Sequence, residues 1–153
     1  MSDLHLERTF AAPRAAVFAA WTSPEVVRRW WSASPEWHDS LAEVDLRPGG
    51  RHRLSMHDSD RGATHTVTGE YREVEPPERL VSTWSWDGDP EEMAGSAGTL
   101  VTVRFVAEGE RTRVVLDHTG FATEDVRDKH DHGWTACLDN LDARVVRGAP
   151  ARP

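Results

Sequence analysis

Leu4, Leu6 and Phe10 alternate with His5, Glu7 and Thr9. That period of two marks a strand with one face on a core and the other in water. The period changes at Pro13, whose missing N–H costs nothing at the first position of a helix, and Val17, Phe18 and Trp21 follow at one-turn spacing. A second short helix is expected where Ser23 can cap, Pro24 takes the first position and Glu25 sits at the positive end of the dipole. Its apolar face is Val26, Val27, Trp30 and Trp31, and Ser34-Pro35 ends the helical region.

Residues 41 to 119 read as strands separated by turn chemistry. Leu41 to Leu46 and Arg51 to His57 flank Arg47-Pro48-Gly49-Gly50 and make a hairpin, which Asp58 to Gly62 closes. Thr64 to Val74 stops at Pro76-Pro77, and Arg79 to Trp86 is the next strand. Asp87 to Ala97, with Gly88, Pro90, Gly95 and four acidic residues, predicts a mobile, exposed loop. Leu100 to Val106 and Thr112 to His118 flank Glu108-Gly109-Glu110 as a last hairpin. Then a helical period takes over. Thr123 is placed to cap, Glu124 and Asp125 fill the first turn, and Val126, His130, Gly133, Trp134, Cys137, Leu138, Leu141 and Val145 trace one stripe. The Pro- and Gly-rich segment 147–153 reads as a disordered tail, leaving residues 1–146 as a single domain.

The expected class is α+β: a curved antiparallel sheet of about seven strands with two short helices after the first strand and a long C-terminal helix covering one face. A chain of 153 residues can bury a core without staples. Eighteen Lys and Arg against 26 Asp and Glu give a net charge of −8, which excludes a general nucleic-acid binder. The single cysteine, Cys137, can form neither an intrachain disulfide nor a thiolate metal cluster. With no basic, apolar leader and no run near the ~18 residues of a membrane span, the expectation is a cytoplasmic protein without membrane association. There is no phosphate loop, nucleophile elbow, zinc helix or dinucleotide fingerprint, so neither cofactor nor metal is expected. The composition leaves one surplus: seven of the twelve aromatic residues are Trp. Such large flat surfaces serve as core or as a cavity wall.

The surplus acquires a place through a resemblance. Arg8-Thr-Phe-Ala-Ala-Pro13 with Val17 and Trp21, Ser23-Pro24-Glu25, Trp30-Trp31, Arg47-Pro-Gly-Gly-Arg51 and Gly69-Glu-Tyr-Arg-Glu-Val-Glu-Pro-Pro-Glu-Arg-Leu80 come in that order. Thr83-Trp84, Val101-Thr-Val-Arg-Phe105, His118-Thr-Gly-Phe121 and Gly133-Trp134 follow. Together they resemble the START-like, birch-pollen-allergen-like superfamily (SRPBCC), and within it the branch named after the activator of the 90-kDa heat-shock protein ATPase. The resemblance implies a helix-grip fold, with a cavity between the sheet and the last helix. It also implies a homodimer, since small members of this branch often pair.

Alternation assigns faces to that cavity. His52, Leu54 and Met56 share one face, as do Ser82, Trp84 and Trp86; Val103, Phe105, Leu116 and His118 on the last hairpin meet Trp134 and Leu138 from the helix. The family pattern places bulky apolar residues where His52 and Ser82 stand, so the resemblance implies a roomier cavity with two added polar groups. The alternative is that each simply bonds a neighbouring side chain or water. His118 and His130 are either acid–base candidates or hydrogen-bonded packing residues. His130 and His132, two apart, do not share a helix face and make no metal pair. Of Trp30 and Trp31, one anchors the second helix and the other rims the cavity; Trp37 is surface, interface or lid. Asp58, Asp60, Glu91 and Glu92 read as solvated loop charges, and Cys137 as an inert buried thiol.

Three functions follow. The first is a non-catalytic module that encloses a small hydrophobic or amphipathic molecule. The second is a cyclase-, dehydratase- or hydrolase-like enzyme using His52, His118 or His130. The third, carried by the family's name alone, is a co-chaperone-like ATPase activator.

Overall fold

A computed structural model describes residues 1–34, 37 and 40–147. The helix stop at Pro35 and the tail beyond residue 147 lie outside the described residues. Strand β1 (Ser2–Phe10) is followed by helices α1 (Arg14–Thr22) and α2 (Pro24–Trp30). Strands β2 (Leu41–Val44), β3 (Arg51–Asp58), β4 (Ala63–Glu75), β5 (Arg79–Trp86), β6 (Thr99–Glu108) and β7 (Arg111–Phe121) come next, then the long helix α3 (Glu124–Asn140). The strands form one antiparallel curved sheet in the order β1-β7-β6-β5-β4-β3-β2. This is the helix-grip arrangement, α+β.

The helix signals resolve in different ways. Thr123 caps α3, its hydroxyl accepting the Val126 N–H. Ser23 occupies the cap position of α2 without a side-chain bond, so Pro24 and Glu25 set that start. Pro13 stands one residue outside α1, as its cap. The last turn of the C-terminal helix widens to a π-helical segment, Leu141–Val146. The polar loop between β5 and β6 does not hang free as its composition suggests. The Ala122 N–H donates to the Gly95 carbonyl at 3.0 Å, the Gly98 N–H to Trp84 at 2.9 Å, and Lys129 Nζ reaches the Glu92 carbonyl at 2.8 Å.

The groove between sheet and α3 is filled at one end and open at the other. At the filled end Phe105 meets Phe18 and Trp21 edge-on, with ring centroids 5.2 and 5.7 Å apart, and Trp21 packs at a tilt against Trp30 at 4.9 Å. Helices α1 and α2 therefore supply the side chains that close it. Gly69 is required where β3 to β5 crowd together, since a Cβ there would run into the Thr83 carbonyl and the His52 ring.

Candidate functional site

The open end of the groove is a cavity of about 900 Å³. The segment after α2 supplies Trp31, Ala33 and Trp37; β3 supplies Met56 and Asp58; β5 supplies Trp84 and Trp86; and α3 contributes His130, Gly133, Trp134 and Cys137. The mouth carries Asp60, Arg61, His65, Pro90, Glu92, Met93, Asp125, Asp128, Lys129 and His132. Trp31 is set in place through α3: the Cys137 thiol and the Asn140 amide both donate to the Ser32 carbonyl, at 3.3 and 3.1 Å. The indoles pack on each other, with Trp84–Trp134 at 5.2 Å, Trp31–Trp134 at 5.6 Å and Trp31–Trp84 at 5.8 Å. The two Trp31 contacts are edge-to-face, the geometry that aromatic quadrupoles favour.

Of the residues the sequence nominates, Trp31, Met56, Trp84, Trp86, His130 and Trp134 line this cavity. Trp30, His52, Leu54, Ser82, Val103, Phe105, Leu116, His118 and Leu138 do not. Trp30 is the anchor of its pair, buried with its N–H on the Ala20 carbonyl at 3.0 Å. Val103, Phe105, Leu116 and Leu138 belong to the hydrophobic core, Phe105 at the filled end. Strand alternation gives a face but not how far along it the helices close the groove. Leu54 packs partly buried against the same core. Ser82 is buried away from the cavity, and His52 lies beside Tyr71, ring centroids 5.3 Å apart, and over Gly69. The extra room expected of that pair is therefore filled by packing within the sheet, and the buried His52 Nδ1 has no hydrogen-bond partner there among the described residues.

Each buried imidazole near the cavity is held in one tautomer. An indole N–H can only donate, so the bonds from Trp84 Nε1 at 3.2 Å and Trp86 Nε1 at 3.0 Å require His130 Nε2 to be an acceptor. The proton is then on Nδ1, which donates to the Val126 carbonyl at 2.8 Å. His118 has the opposite form. Trp134 Nε1 donates to its Nδ1 at 3.1 Å, so Nε2–H donates to Thr99 Oγ1 at 2.7 Å, and the threonine hydroxyl in turn donates to the Ser96 carbonyl at 2.8 Å.

Burial pushes both below the usual histidine range; the nearby His130 adds to the effect at His118, and Lys129 to that at His130. Burial likewise takes His52 down to about 4, against the Thr83 backbone. It drives the Cys137 thiol up to about 12, which keeps it protonated and unreactive.

The mouth corrects a second expectation. Asp58 is a buried carboxylate rather than a solvated loop charge. Burial would raise its pKa, but the Arg61 N–H, His65 and the Asp60 N–H together hold it below the ordinary value. Its Oδ1 accepts the Asp60 and Arg61 N–H groups at 3.0 and 3.1 Å, which builds the β3–β4 turn. Trp37 Nε1 reaches Asp60 Oδ2 at 3.4 Å. Sequence reasoning missed Trp37, Cys137 and Lys129 as lining residues. The available signal was the i, i+4 row Asp125, Lys129, Gly133 and Cys137, which enters the apolar stripe of α3 at Gly133 and Cys137. Among the described residues no group of three or more His, Cys, Asp or Glu could hold a metal. No helix is long and apolar enough to cross a membrane.

The family model for activator of Hsp90 ATPase homolog 1-like proteins matches residues 11–145. The chain belongs to that family. Solved AHSA1-family structures superpose along nearly its whole length. The AHSA1-like protein of Aeromonas hydrophila is 28% identical with a TM-score of 0.79, covering 99% of this chain and 98% of its own. The AHSA1 protein of Silicibacter pomeroyi is 27% identical with a TM-score of 0.77, over 96% of this chain and 99% of its own. A Chromobacterium violaceum protein at 22% identity shares the fold with a TM-score of 0.81, over 95% and 98%. No curated protein matches the chain. Membership agrees with the SRPBCC superfamily, whose fold is generally a ligand-binding one; a common fold does not name the ligand.

Proposed function

We propose that this AHSA1-like chain encloses a small apolar or amphipathic molecule in the cavity between β3, β5 and α3, without catalysing a reaction on it. The supporting observation is the cavity itself, about 900 Å³ and walled by Trp31, Trp84, Trp86 and Trp134. That volume lies within the range of small-molecule sites, and aromatic walls are what such sites use. Asp60, Glu92, Asp125, Asp128 and Lys129 at the mouth leave the polar end of an amphipathic ligand in water. A catalytic role for the buried imidazoles is disfavoured, because both nitrogens of His118 and of His130 are already engaged. The protein is read as a cytoplasmic domain spanning residues 1–146 whose only cysteine stays reduced.

The test is native mass spectrometry and thermal shift against a panel of lipids and polycyclic aromatics. A binder is expected to give a discrete complex and to quench the cavity tryptophans, with a stabilisation of about 2.7 kcal/mol at a hundredfold excess over Kd. A panel that yields neither complex nor quenching removes the reading.

A further inference from the structure

Tryptophan, histidine and cysteine are all hydrogen-bonding residues, so the wall of this cavity is polar by composition. Its geometry makes it otherwise. The N–H groups of Trp84 and Trp86 both end on His130 Nε2, and that of Trp134 ends on His118 Nδ1. The Cys137 thiol donates to the Ser32 carbonyl, and the remaining His130 nitrogen to Val126. Trp31 Nε1 is the one indole N–H of the wall without a hydrogen-bond partner among the described residues, and it is buried from solvent. Among the described residues the buried wall therefore offers a ligand ring faces, ring edges and the Met56 thioether, and no unengaged side-chain donor that is open to solvent. Apart from Asp58, a buried carboxylate whose Oδ1 is taken by the Asp60 and Arg61 N–H groups, the charged groups stand at the mouth.

Taking the enclosure reading as given, we propose that His130 and His118 set the ligand class of the cavity. That class is fused-ring or alkyl-aromatic molecules whose enclosed part carries no hydrogen-bond acceptor, any polar group being left at the mouth. Neither imidazole needs to touch the ligand; each is a positioning residue, His130 acting through Trp84 and Trp86, and His118 through Trp134. A carbonyl drawn from water onto this wall loses its hydration and finds no donor in exchange. Without the acceptor nitrogen of His130, two indole N–H groups on the wall would lack a partner, and a ligand carbonyl would then be the group that satisfies them. The selectivity lies in the imidazole acceptors rather than in the shape of the cavity.

Two probes isolate this effect: naphth-2-ylmethylammonium salts carrying either isopropyl or acetyl at ring position 6. The two are nearly isosteric, and the ammonium stays at the acidic mouth, so position 6 must enter. Binding is followed by tryptophan quenching in the wild type, His130→Gln and His130→Met. Hydration of the ketone is common to all three proteins, so the quantity read is the ratio of the two Kd values. Gln retains an oxygen that can accept both indole N–H groups; Met does not.

The isopropyl probe is expected to bind the wild type and His130→Gln about tenfold or more tighter than the acetyl probe. In His130→Met that ratio should fall by about tenfold, and the ketone carbonyl stretch should move to its hydrogen-bonded frequency. The wild-type complex carries its own check independent of any variant: its carbonyl stretch should be that of an unbonded ketone. A hydrogen-bonded stretch in the wild type, or a His130→Met ratio equal to the wild-type one, overturns the proposal and leaves binding intact. Failure of both probes to bind the wild type overturns the enclosure reading, and this inference with it.

Discussion

Strand β7 carries two kinds of histidine environment on its opposite faces. Asp117, on the outer face, receives His5 Nδ1 from β1 at 2.6 Å, while the other ring nitrogen of His5 meets Glu7 at 2.8 Å. His118, the next residue, points the other way and meets an indole N–H and a threonine hydroxyl. Two carboxylates around one imidazole favour the charged form, and the bonds to Asp117 and then Glu7 raise the His5 pKa. Burial among tryptophans favours the neutral form. The direction of the pKa shift is thus set by which partner the strand's alternation presents: the inner face holds a neutral imidazole as an acceptor, while the outer face favours the charged form.

The largest expected consequence is in acid. A histidine whose folded pKa is depressed contributes stability that is fully present above its unfolded value of 6.5 and is lost as pH falls toward the folded value. His52, His118 and His130 all have this sign. With His52 falling to about 4, that group alone accounts for about 3 kcal/mol between those limits. Urea unfolding at a series of pH values should show the midpoint dropping steadily below about pH 6.5. A flat midpoint across that window would mean the inner imidazoles charge as freely folded as unfolded.

Next in size is His118→Leu. The variant strands the Trp134 N–H in the core, at a cost of about 2 kcal/mol near neutral pH, while Thr99 keeps its bond to Ser96. It also removes one group that must charge in acid, so the difference from the wild type should shrink as pH falls. A difference that is constant with pH would reduce His118 to a space-filling residue and break the contrast with His5.

Much of the fold is legible from period alone. Leu4, Leu6 and Phe10 identify β1, and the Val126 to Leu141 stripe identifies α3, because these patterns follow from which face of an element meets apolar neighbours. The site is half legible. Trp84, Trp86 and Trp134 are identifiable as cavity wall because alternation and helix spacing put them on inward faces. What closes their N–H groups is not, since His130 is 46 residues from Trp84 and no local rule predicts which acceptor a distant strand will find. The same limit explains Phe105. Its inward direction follows from the strand period, but the helices that fill its end of the groove are placed by tertiary packing.

The smallest expected effect tests the outer half of the contrast. His5 is about half exposed and its carboxylates are partly solvated, so screening leaves the pairs only a small net contribution. Removing the ring orphans neither acid: Glu7 keeps Arg113 at 3.0 Å, and Asp117 keeps Arg104 at 3.8 Å. Because the folded pKa is raised, the contribution of His5 is present below 6.5 and lost as pH rises through the folded value. His5→Ala should therefore differ slightly from the wild type near about pH 6 and converge with it in mild alkali or high salt. Its acid-side decline should be unchanged. If His5→Ala instead abolished that decline, the acid sensitivity would belong to the surface network, and the buried imidazoles would lose their claim to it.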